Sequence, residues 1–306
     1  MDANARPHDE AANIGAAILA RQHPRPLGRE EGEFAMVIAI ASGDAGVGRT
    51  TVVANLAVAL ANRGRKVLVL DADLMHADVA AQFGLEPHGD IRGVLAGERT
   101  VEEIVLAGPP GNHIIAGNFG ARGPDRLGVI ELAAIIWAVD SVPQRVDELL
   151  IAMAAGAHAE ALTFARAAQH VLVAVCDETG SLRRASLLIQ SLAREPAVPH
   201  FHILGSKTRS FSHGRALYEQ LRQRCESLRG ATLHYAGEVP DDDCIRSACR
   251  DHRTVVQAYA SSLGARAFRD LAAKVDAWRR PDRLGGHLEF FVERLANADR
   301  CRRSRI

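Results

Sequence analysis

Apolar residues along the chain fall into short runs that alternate with segments of helical periodicity. Runs such as 67–70 and 171–175 are apolar throughout, which indicates strands that are covered on both faces. The predicted strands are 36–41, 66–71, 113–116, 147–152, 170–176, 201–205 and 232–236. The predicted helices are 50–62, 128–138, 157–168, 180–193, 212–228 and 262–279. This alternation predicts an α/β fold, with a doubly wound, mostly parallel sheet flanked by helices in a single domain.

The same pattern divides the chain into three parts. Residues 1–33 are rich in alanine, proline, histidine and charge without a sustained period, so we expect a mobile N-terminal arm. Residues 34–280 hold the alternating pattern and form the predicted domain. Residues 281–306 are predicted to contain a hinge, because one proline and two glycines cluster near their start, and then one short helix.

Apolar residues after the predicted hinge repeat with helical spacing. Leu288, Phe291, Val292 and Leu295 are spaced i, i+3, i+4 and i+7, which places them on one face of a helix. Between residues 287 and 306, five arginines stand against three acidic residues. A short basic amphipathic helix is typical of interfacial binding, so we predict contact with the inner face of the cytoplasmic membrane. The alternative is that this helix packs on its own domain.

A glycine-rich turn follows the first predicted strand and precedes a helix. The spacing from Gly43 through Gly48 and Arg49 to Thr50 follows the phosphate-loop pattern G-x-x-x-x-G-K-[ST], except that arginine replaces lysine. Glycines let backbone N–H groups point at phosphate oxygens, and the helix N-terminus adds its dipole. The residues predicted to bind nucleotide are Gly43, Gly46, Val47, Gly48, Arg49, Thr50 and Thr51. The Thr50 hydroxyl is the predicted ligand for Mg²⁺.

With this loop the chain resembles the MinD/ParA class of P-loop ATPases, and within it the flagellar number regulators FlhG and FleN. Residues 161–193, 237–243 and 254–263 are also similar to that subfamily, in the same order and spacing. The resemblance covers about residues 36–280. It implies a MinD-like fold, ATP or ADP with Mg²⁺ as ligands, and a homodimer as one of the states of the protein.

Several positions depart from the family's pattern. The family's loop carries two lysines, and here Asp44 stands at the first, signature position and Arg49 at the second. Ala152 stands where switch II has the aspartate that supports Mg²⁺. Ser206 aligns with the asparagine that reads adenine. We expect Asp44, Ala152 and Ser206 to be degenerate positions.

Two aspartates match the family's switch I. Asp73 aligns with the catalytic aspartate, and Asp71, together with Thr50, is the remaining predicted contact for Mg²⁺. An alternative is that Asp71 and Asp73 only cap the segment that follows them. A further hypothesis pairs the opposite charges of Asp44 and Arg49, within one chain or across a two-fold interface, so that the pair fills the phosphate site.

The departures predict an impaired ATPase. A charge contact at about 4 Å is worth about 4 kcal/mol at an effective dielectric constant near 20, and Asp44 reverses the sign of one such contact. Comparable cationic groups contribute factors of roughly 10³–10⁵ in phosphoryl transfer. We therefore expect weak binding of ATP or ADP and little hydrolysis.

The resemblance implies a regulator of flagellar number or placement. Its expected partners are a FlhF-type GTPase, a flagellar transcription activator or a basal-body component. The alternative is a working, slow MinD-like ATPase that cycles between a monomer and a membrane-bound dimer. A ParA-type DNA partition protein is disfavoured, and no direct nucleic-acid partner is expected, because 37 basic residues balance 37 acidic ones.

The sequence also predicts where the protein is found in the cell. Its five cysteines are scattered, which is typical of reduced thiols in the cytoplasm. The N-terminus lacks the apolar stretch of a secretory signal, and no apolar run is long enough to span a membrane. We expect a cytoplasmic protein that is peripheral at the cytoplasmic membrane.

Overall fold

The computed structural model describes residues 35–73, 76, 78–117, 135, 139, 142, 145–194, 200–228 and 231–278. The strands in these ranges are β1 (Met36–Ser42), β2 (Val67–Ala72), β3 (Val105–Ala107), β4 (Asn112–Ile115), β5 (Glu148–Met153), β6 (His170–Val175), β7 (His200–Thr208) and β8 (Leu233–Pro240). The helices are α1 (Arg49–Ala61), α2 (Val79–Gln82), α3 (Ile91–Leu95), α4 (Ala159–Ala167), α5 (Ser181–Ala193), α6 (Phe211–Arg224), α7 (Asp243–Arg250), α8 (Val255–Ala258) and α9 (Leu263–Asp276).

The described strands form one eight-stranded sheet in the order β3-β4-β2-β5-β1-β6-β7-β8. Each described pairing is parallel except that of β3 with β4, which is antiparallel. The central strand β1 lies between β5 and β6, so the chain crosses to both sides of it. This arrangement confirms the predicted doubly wound, mostly parallel α/β sheet.

The core lies on both faces of the sheet. Successive side chains of a strand point to opposite faces, so the residues of β1 divide between two apolar clusters. Val37 and Ala39 pack in the cluster that includes α4, α5 and α6, whereas Ile38 and Ile40 pack in the cluster that includes α1 and α9. Every residue of β1, β2, β5 and β6 is buried, which explains why their sequences are apolar at nearly every position.

The predicted strands and the longer predicted helices appear close to their predicted bounds. The structure adds the short edge strand β3 and the helices α2, α3, α7 and α8, which were not predicted. Most of the predicted helix 128–138 lies outside the described residues, as do the predicted N-terminal arm and the segment 281–306. None of the described helices is long and apolar enough to cross a membrane.

The sheet topology fixes the place of the candidate site. The carboxyl ends of β1, β2, β5, β6 and β7 meet at one edge, because these strands are parallel. In open α/β sheets ligands bind at this edge, where the strand order reverses. The phosphate loop, Asp73, Ala152 and Ser206 all follow or end these strands, so the fold brings them to the same edge.

Candidate functional site

The loop between β1 and α1 has the shape that a phosphate cradle requires. Gly46 and Gly48 have φ angles of 77° and 95°, a left-handed conformation that favours glycine. Gly43 lies against α5, and a β-carbon there would collide with the backbone nitrogen of Ala185. Gly48 caps α1 without a side-chain hydrogen bond, and the first turn of α1 holds no acidic residue. The N–H groups of this turn therefore face an approaching anion without competition from a carboxylate.

Arg49 turns away from the loop and into the edge of the sheet. Its Nη2 atom lies 3.1 Å from Oδ2 of Asp73, and its Nη1 atom donates to the backbone oxygen of Met153. The side chains of Arg49 and Asp73 are only 13% and 15% exposed. Burial lowers the pKa of Arg49, and the adjacent Asp73 carboxylate opposes this shift. One guanidinium thus joins α1 to the carboxyl ends of β2 and β5.

Asp44 has a different partner from the one proposed for it. Its carboxylate accepts a hydrogen bond from Arg184 of α5, and the same guanidinium donates to the backbone oxygen of Thr179 at 3.2 Å. The hypothesis of an Asp44–Arg49 pair within one chain is therefore wrong. The physical reason is that β6 lies beside β1, which places α5 next to the loop, while Arg49 finds two oxygens at the ends of β2 and β5.

The Asp44–Arg184 pair also changes the expected electrostatics of the loop. The two side chains are 25% and 46% exposed, so solvent screens them. A neutralised carboxylate repels phosphate less than the isolated charge that the sequence implied. The cost of placing an acid at the mouth of the loop is thus partly offset by Arg184.

Asp71 is buried at the end of β2, with 1% of its surface exposed. Its Oδ1 accepts from the backbone N–H of Asp73 at 3.2 Å, and its Oδ2 accepts from that of Val79 at 3.0 Å. Burial raises the pKa of Asp71 to about 7, although both hydrogen bonds oppose the shift. These bonds favour the alternative in which Asp71 caps the segment after β2. Its assignment to Mg²⁺ stays a prediction.

Ala152 lies directly beside Asp71 in the register of β5 with β2. It is buried, with 5% of its surface exposed, and its methyl group offers no ligand to a cation. The next residue, Met153, offers its backbone oxygen, which already accepts from Arg49. The carboxyl end of β5 therefore has no carboxylate at this point of the site.

A cavity of about 680 Å³ opens beside the loop. Among the residues that line it are Gly48, Thr51, Ser206, Lys207, Pro240 and Asp241. Ser206 donates its hydroxyl to the backbone oxygen of Val47 at 2.7 Å, which ties the end of β7 to the loop. Asp242 caps α7 by accepting from the N–H of Cys244 at 2.8 Å, and it also accepts from the N–H of Gly264 at 2.8 Å. The hydrogen bonds of Asp242 therefore hold the start of α7, which lines the cavity, in place.

The described carboxylates at this edge do not fit a Mg²⁺ ion, whereas the assignment of the Thr50 hydroxyl to Mg²⁺ stays a prediction. Mg²⁺ requires about six oxygen ligands in near-octahedral geometry, commonly carboxylates, phosphates and water. The oxygens of Asp71 accept from backbone N–H groups, while those of Asp73 accept from Arg49 and from the N–H of His76. No group of three metal-ligating side chains occurs within the described ranges. A guanidinium, itself a cation, lies where a divalent ion would approach Asp73.

The family assignment rests on a match over most of the domain. The CobQ/CobB/MinD/ParA nucleotide binding domain matches residues 38–255. The chain belongs to this family. The match confirms the resemblance to the MinD/ParA class that the loop and the downstream segments predicted.

Individual MinD/ParA-family proteins are similar over most of their length. The antiactivator FleN of Pseudomonas aeruginosa is 38% identical over 259 residues, which cover 85% of this chain and 92% of FleN. The flagellum site-determining protein YlxH of Helicobacter pylori is 25% identical over 236 residues, covering 77% of this chain and 80% of YlxH. The structure of the septum site-determining protein MinD of Pyrococcus horikoshii, complexed with Mg-ADP, superposes with a TM-score of 0.65 at 25% identity and covers 79% of this chain and 96% of MinD.

Sequence reasoning missed Arg184 and the backbone oxygen of Met153. No motif marks Arg184, which lies 140 residues from its partner Asp44 along the chain. The available signal was the acidic residue itself, since a carboxylate at a phosphate loop needs a cationic neighbour. The carbonyl of Met153 has no side-chain signal at all. Both contacts depend on the order of strands in the sheet.

Proposed function

We propose that the protein regulates the number or placement of flagella by binding partner proteins and the cytoplasmic membrane, with a weakly held ATP or ADP and impaired ATP hydrolysis. The flagellar role is supported by similarity to two proteins whose names describe an antiactivator and a flagellum site-determining protein. The observation that carries the loss of hydrolysis is the ion pair of Arg49 with Asp73.

The pair removes two groups from catalysis at once. Hydrolysis requires a cation on the phosphates and a carboxylate that orients the attacking water. Here the only charge of Arg49 is directed at Asp73 and at the oxygen of Met153. A guanidinium is also wider than an ammonium and fits a different set of oxygens, so arginine does not replace lysine directly. With alanine at position 152, the carboxyl end of β5 offers no carboxylate to compensate.

A partner protein is the expected target of the signal. The name of FleN, an antiactivator, favours a flagellar transcription activator over a FlhF-type GTPase or a basal-body component. A homodimer remains part of the proposal, because the loop edge and α5 are exposed enough to meet a second copy. The predicted helix that bears Leu288, Phe291, Val292 and Leu295 is the proposed membrane contact.

A second candidate is a slow MinD-like ATPase, and one observation favours it. Arg184 neutralises Asp44, so the mouth of the loop does not carry an isolated negative charge against the phosphates. In this candidate, Arg49 releases Asp73 when nucleotide binds and then contacts the phosphates. Measuring the release of phosphate from ATP distinguishes the two candidates.

Phosphate release by the purified full-length chain with ATP and Mg²⁺ tests both candidates. We expect release at the buffer background for the wild type, for Asp73→Ala and for the control Asp78→Ala, which changes an exposed acid nearby. Release by the wild type that is lost in Asp73→Ala and kept in Asp78→Ala would establish the slow ATPase instead.

The flagellar role is tested in cells of Pseudomonas aeruginosa that lack FleN. We expect expression of this chain to restore the wild-type number of flagella, counted by electron microscopy. Asp73→Ala should restore the number equally well, because the proposed signal needs contact and not turnover. Unchanged flagellar counts, at a protein level equal to that of FleN in the parent strain, would contradict the role.

A further inference from the structure

The side chain of Arg49 occupies a junction of three elements. It begins α1, pairs with Asp73 after β2 and donates to the oxygen of Met153 at the end of β5. The side chain is 13% exposed, so this is an interior contact and not a surface ion pair. The guanidinium supplies positive charge at the carboxyl ends of β2 and β5.

The carboxylate oxygens around this junction already accept hydrogen bonds from protein donors. Asp71 accepts two backbone hydrogen bonds, and Asp73 accepts one from Arg49 and one from the N–H of His76 at 3.1 Å. Position 152 is an alanine that is 5% exposed. A divalent ion here would displace these donors and would also be repelled by the guanidinium.

The loop conformation and a neighbouring cavity leave room for the rest of a nucleotide. The loop keeps Gly46 and Gly48 in left-handed conformations, and the first turn of α1 carries no acid. The cavity of about 680 Å³ adjoins Gly48 and Thr51 and has Lys207 in its lining. A base and ribose fit a cavity of this size. The Asp44–Arg184 pair lies at the outer end of the loop, so the guanidinium of Arg184 is already paired with a carboxylate there.

From this arrangement we propose that the site takes a nucleoside diphosphate without a divalent cation, and that the guanidinium of Arg49, instead of a divalent cation, is the positive charge beside Asp73. This inference rests on the proposed function, because it concerns the same nucleotide site. It adds that the metal is dispensable for binding. It also explains how a chain that lacks a metal-supporting carboxylate keeps a phosphate cradle.

Calorimetric titration of the full-length protein with ADP tests the inference. One titration is made in buffer with Mg²⁺ and one in buffer with EDTA. We expect the two dissociation constants to agree within about twofold, whereas a metal-dependent site would differ by about tenfold or more. A dissociation constant at least about tenfold weaker in EDTA, or no binding of ADP in either buffer, would overturn the inference.

Two variants sharpen the test. The double variant Arg49→Lys with Ala152→Asp returns a point charge and a carboxylate, and its affinity for ADP should become about tenfold tighter with Mg²⁺ than with EDTA. Arg183→Lys makes the same exchange on the exposed face of α5 and should bind as the wild type does in both buffers. The wild-type titrations decide the inference even where the double variant fails to fold, which circular dichroism detects.

The outcome is separable from that of the proposed function. Phosphate release from ATP would overturn the proposal of impaired hydrolysis, whereas the inference is decided by ADP titrations alone. A protein that binds ADP equally with and without Mg²⁺ supports the inference whatever its rate of turnover.

Discussion

The guanidinium of Arg49 lies 3.1 Å from the carboxylate of Asp73, so the first residue of α1 is bound directly to the residue that follows β2. Both side chains are largely buried, and the guanidinium makes a second hydrogen bond to the oxygen of Met153. In a working phosphate loop these two charges act on a nucleotide. Here each charge acts on the other, which links the loop to the sheet edge without a ligand.

The first prediction concerns this link. Arg49→Ala should lower the free energy of unfolding by about 1–3 kcal/mol, because it removes one donor from the carboxylate of Asp73 and one from the oxygen of Met153. Urea denaturation followed by circular dichroism measures the change. Arg183→Ala, on the exposed face of α5, should change stability by less than about 0.5 kcal/mol. Equal effects of the two variants would show that the buried pair contributes nothing.

The second prediction concerns the Asp44–Arg184 ion pair at the phosphate loop. Arg184→Ala removes the partner of Asp44 and leaves a carboxylate facing the phosphates, so ADP should bind about two- to fivefold more weakly. The effect should shrink at high salt, because the pair is exposed. Adding Asp44→Ala should restore most of the lost affinity, since the repulsive charge is then gone. Calorimetry of both variants at two salt concentrations measures this, and an unchanged affinity in Arg184→Ala would contradict it.

The fold was predictable where a segment is buried on every side. The strands β1, β2, β5 and β6 are apolar at nearly every position, and their predicted bounds agree closely with the structure. The strand and helices that were not predicted bury few side chains. β3 has three residues with one fully buried, and α7 buries only Ala248 among its eight residues. Helices of eight residues or fewer, and a strand of three, are too short for an apolar period to identify them in the sequence.

Only those parts of the candidate site that consist of residues adjacent in sequence were predictable. Glycine spacing located the loop and its helix, because the conformation of the loop depends on residues that are adjacent in sequence. The partners of its charged residues depend on which strands are neighbours. Nothing in the sequence near Asp44 indicates Arg184, and the Asp44–Arg49 pairing within one chain was wrong for that reason. The order of strands in the sheet was the missing information.

The third prediction concerns a histidine at the opposite end of the sheet. His202 of β7 stacks on Trp278, with ring centroids 3.6 Å apart, and its Nε2 atom lies 3.1 Å from Nδ1 of His170. Burial, together with the neighbouring histidines His170, His234 and His200, lowers the pKa of His202 to about 3. The unfolded chain therefore binds a proton near pH 6.5 that the folded chain binds only near pH 3.

This difference in pKa sets the direction of a pH effect. Because the unfolded state holds more protons between these pKa values, the contribution of His202 to stability is full above pH 6.5 and falls as the pH drops. The stability advantage of the wild type over His202→Gln should therefore shrink by about 2 kcal/mol between pH 7 and pH 5. Urea denaturation at both pH values measures it. The control is His88→Gln, which changes an exposed histidine. A stability advantage of the wild type over His202→Gln that grows between pH 7 and pH 5 would contradict the lowered pKa of His202.

The fourth prediction concerns the C-terminal stripe. If Leu288, Phe291, Val292 and Leu295 enter a membrane surface, Phe291→Glu should lower the fraction of protein bound to anionic vesicles. Burying a phenylalanine side chain is worth about 1.5–3 kcal/mol, so the partition coefficient should fall about tenfold or more. Cosedimentation with vesicles of phosphatidylglycerol and phosphatidylethanolamine measures the bound fraction.

The chain itself provides the matched control for this prediction. Phe290 precedes Phe291 but lies off the apolar stripe, so Phe290→Glu adds the same charge to the same helix without placing it among the stripe residues. If the stripe meets lipid, only Phe291→Glu should lose vesicle binding. If the stripe packs on its own domain, neither variant should change vesicle binding, and Phe291→Glu should lower the free energy of unfolding instead. Equal losses of vesicle binding in the two variants would mean that charge alone, and not a defined apolar face, holds the segment at the membrane.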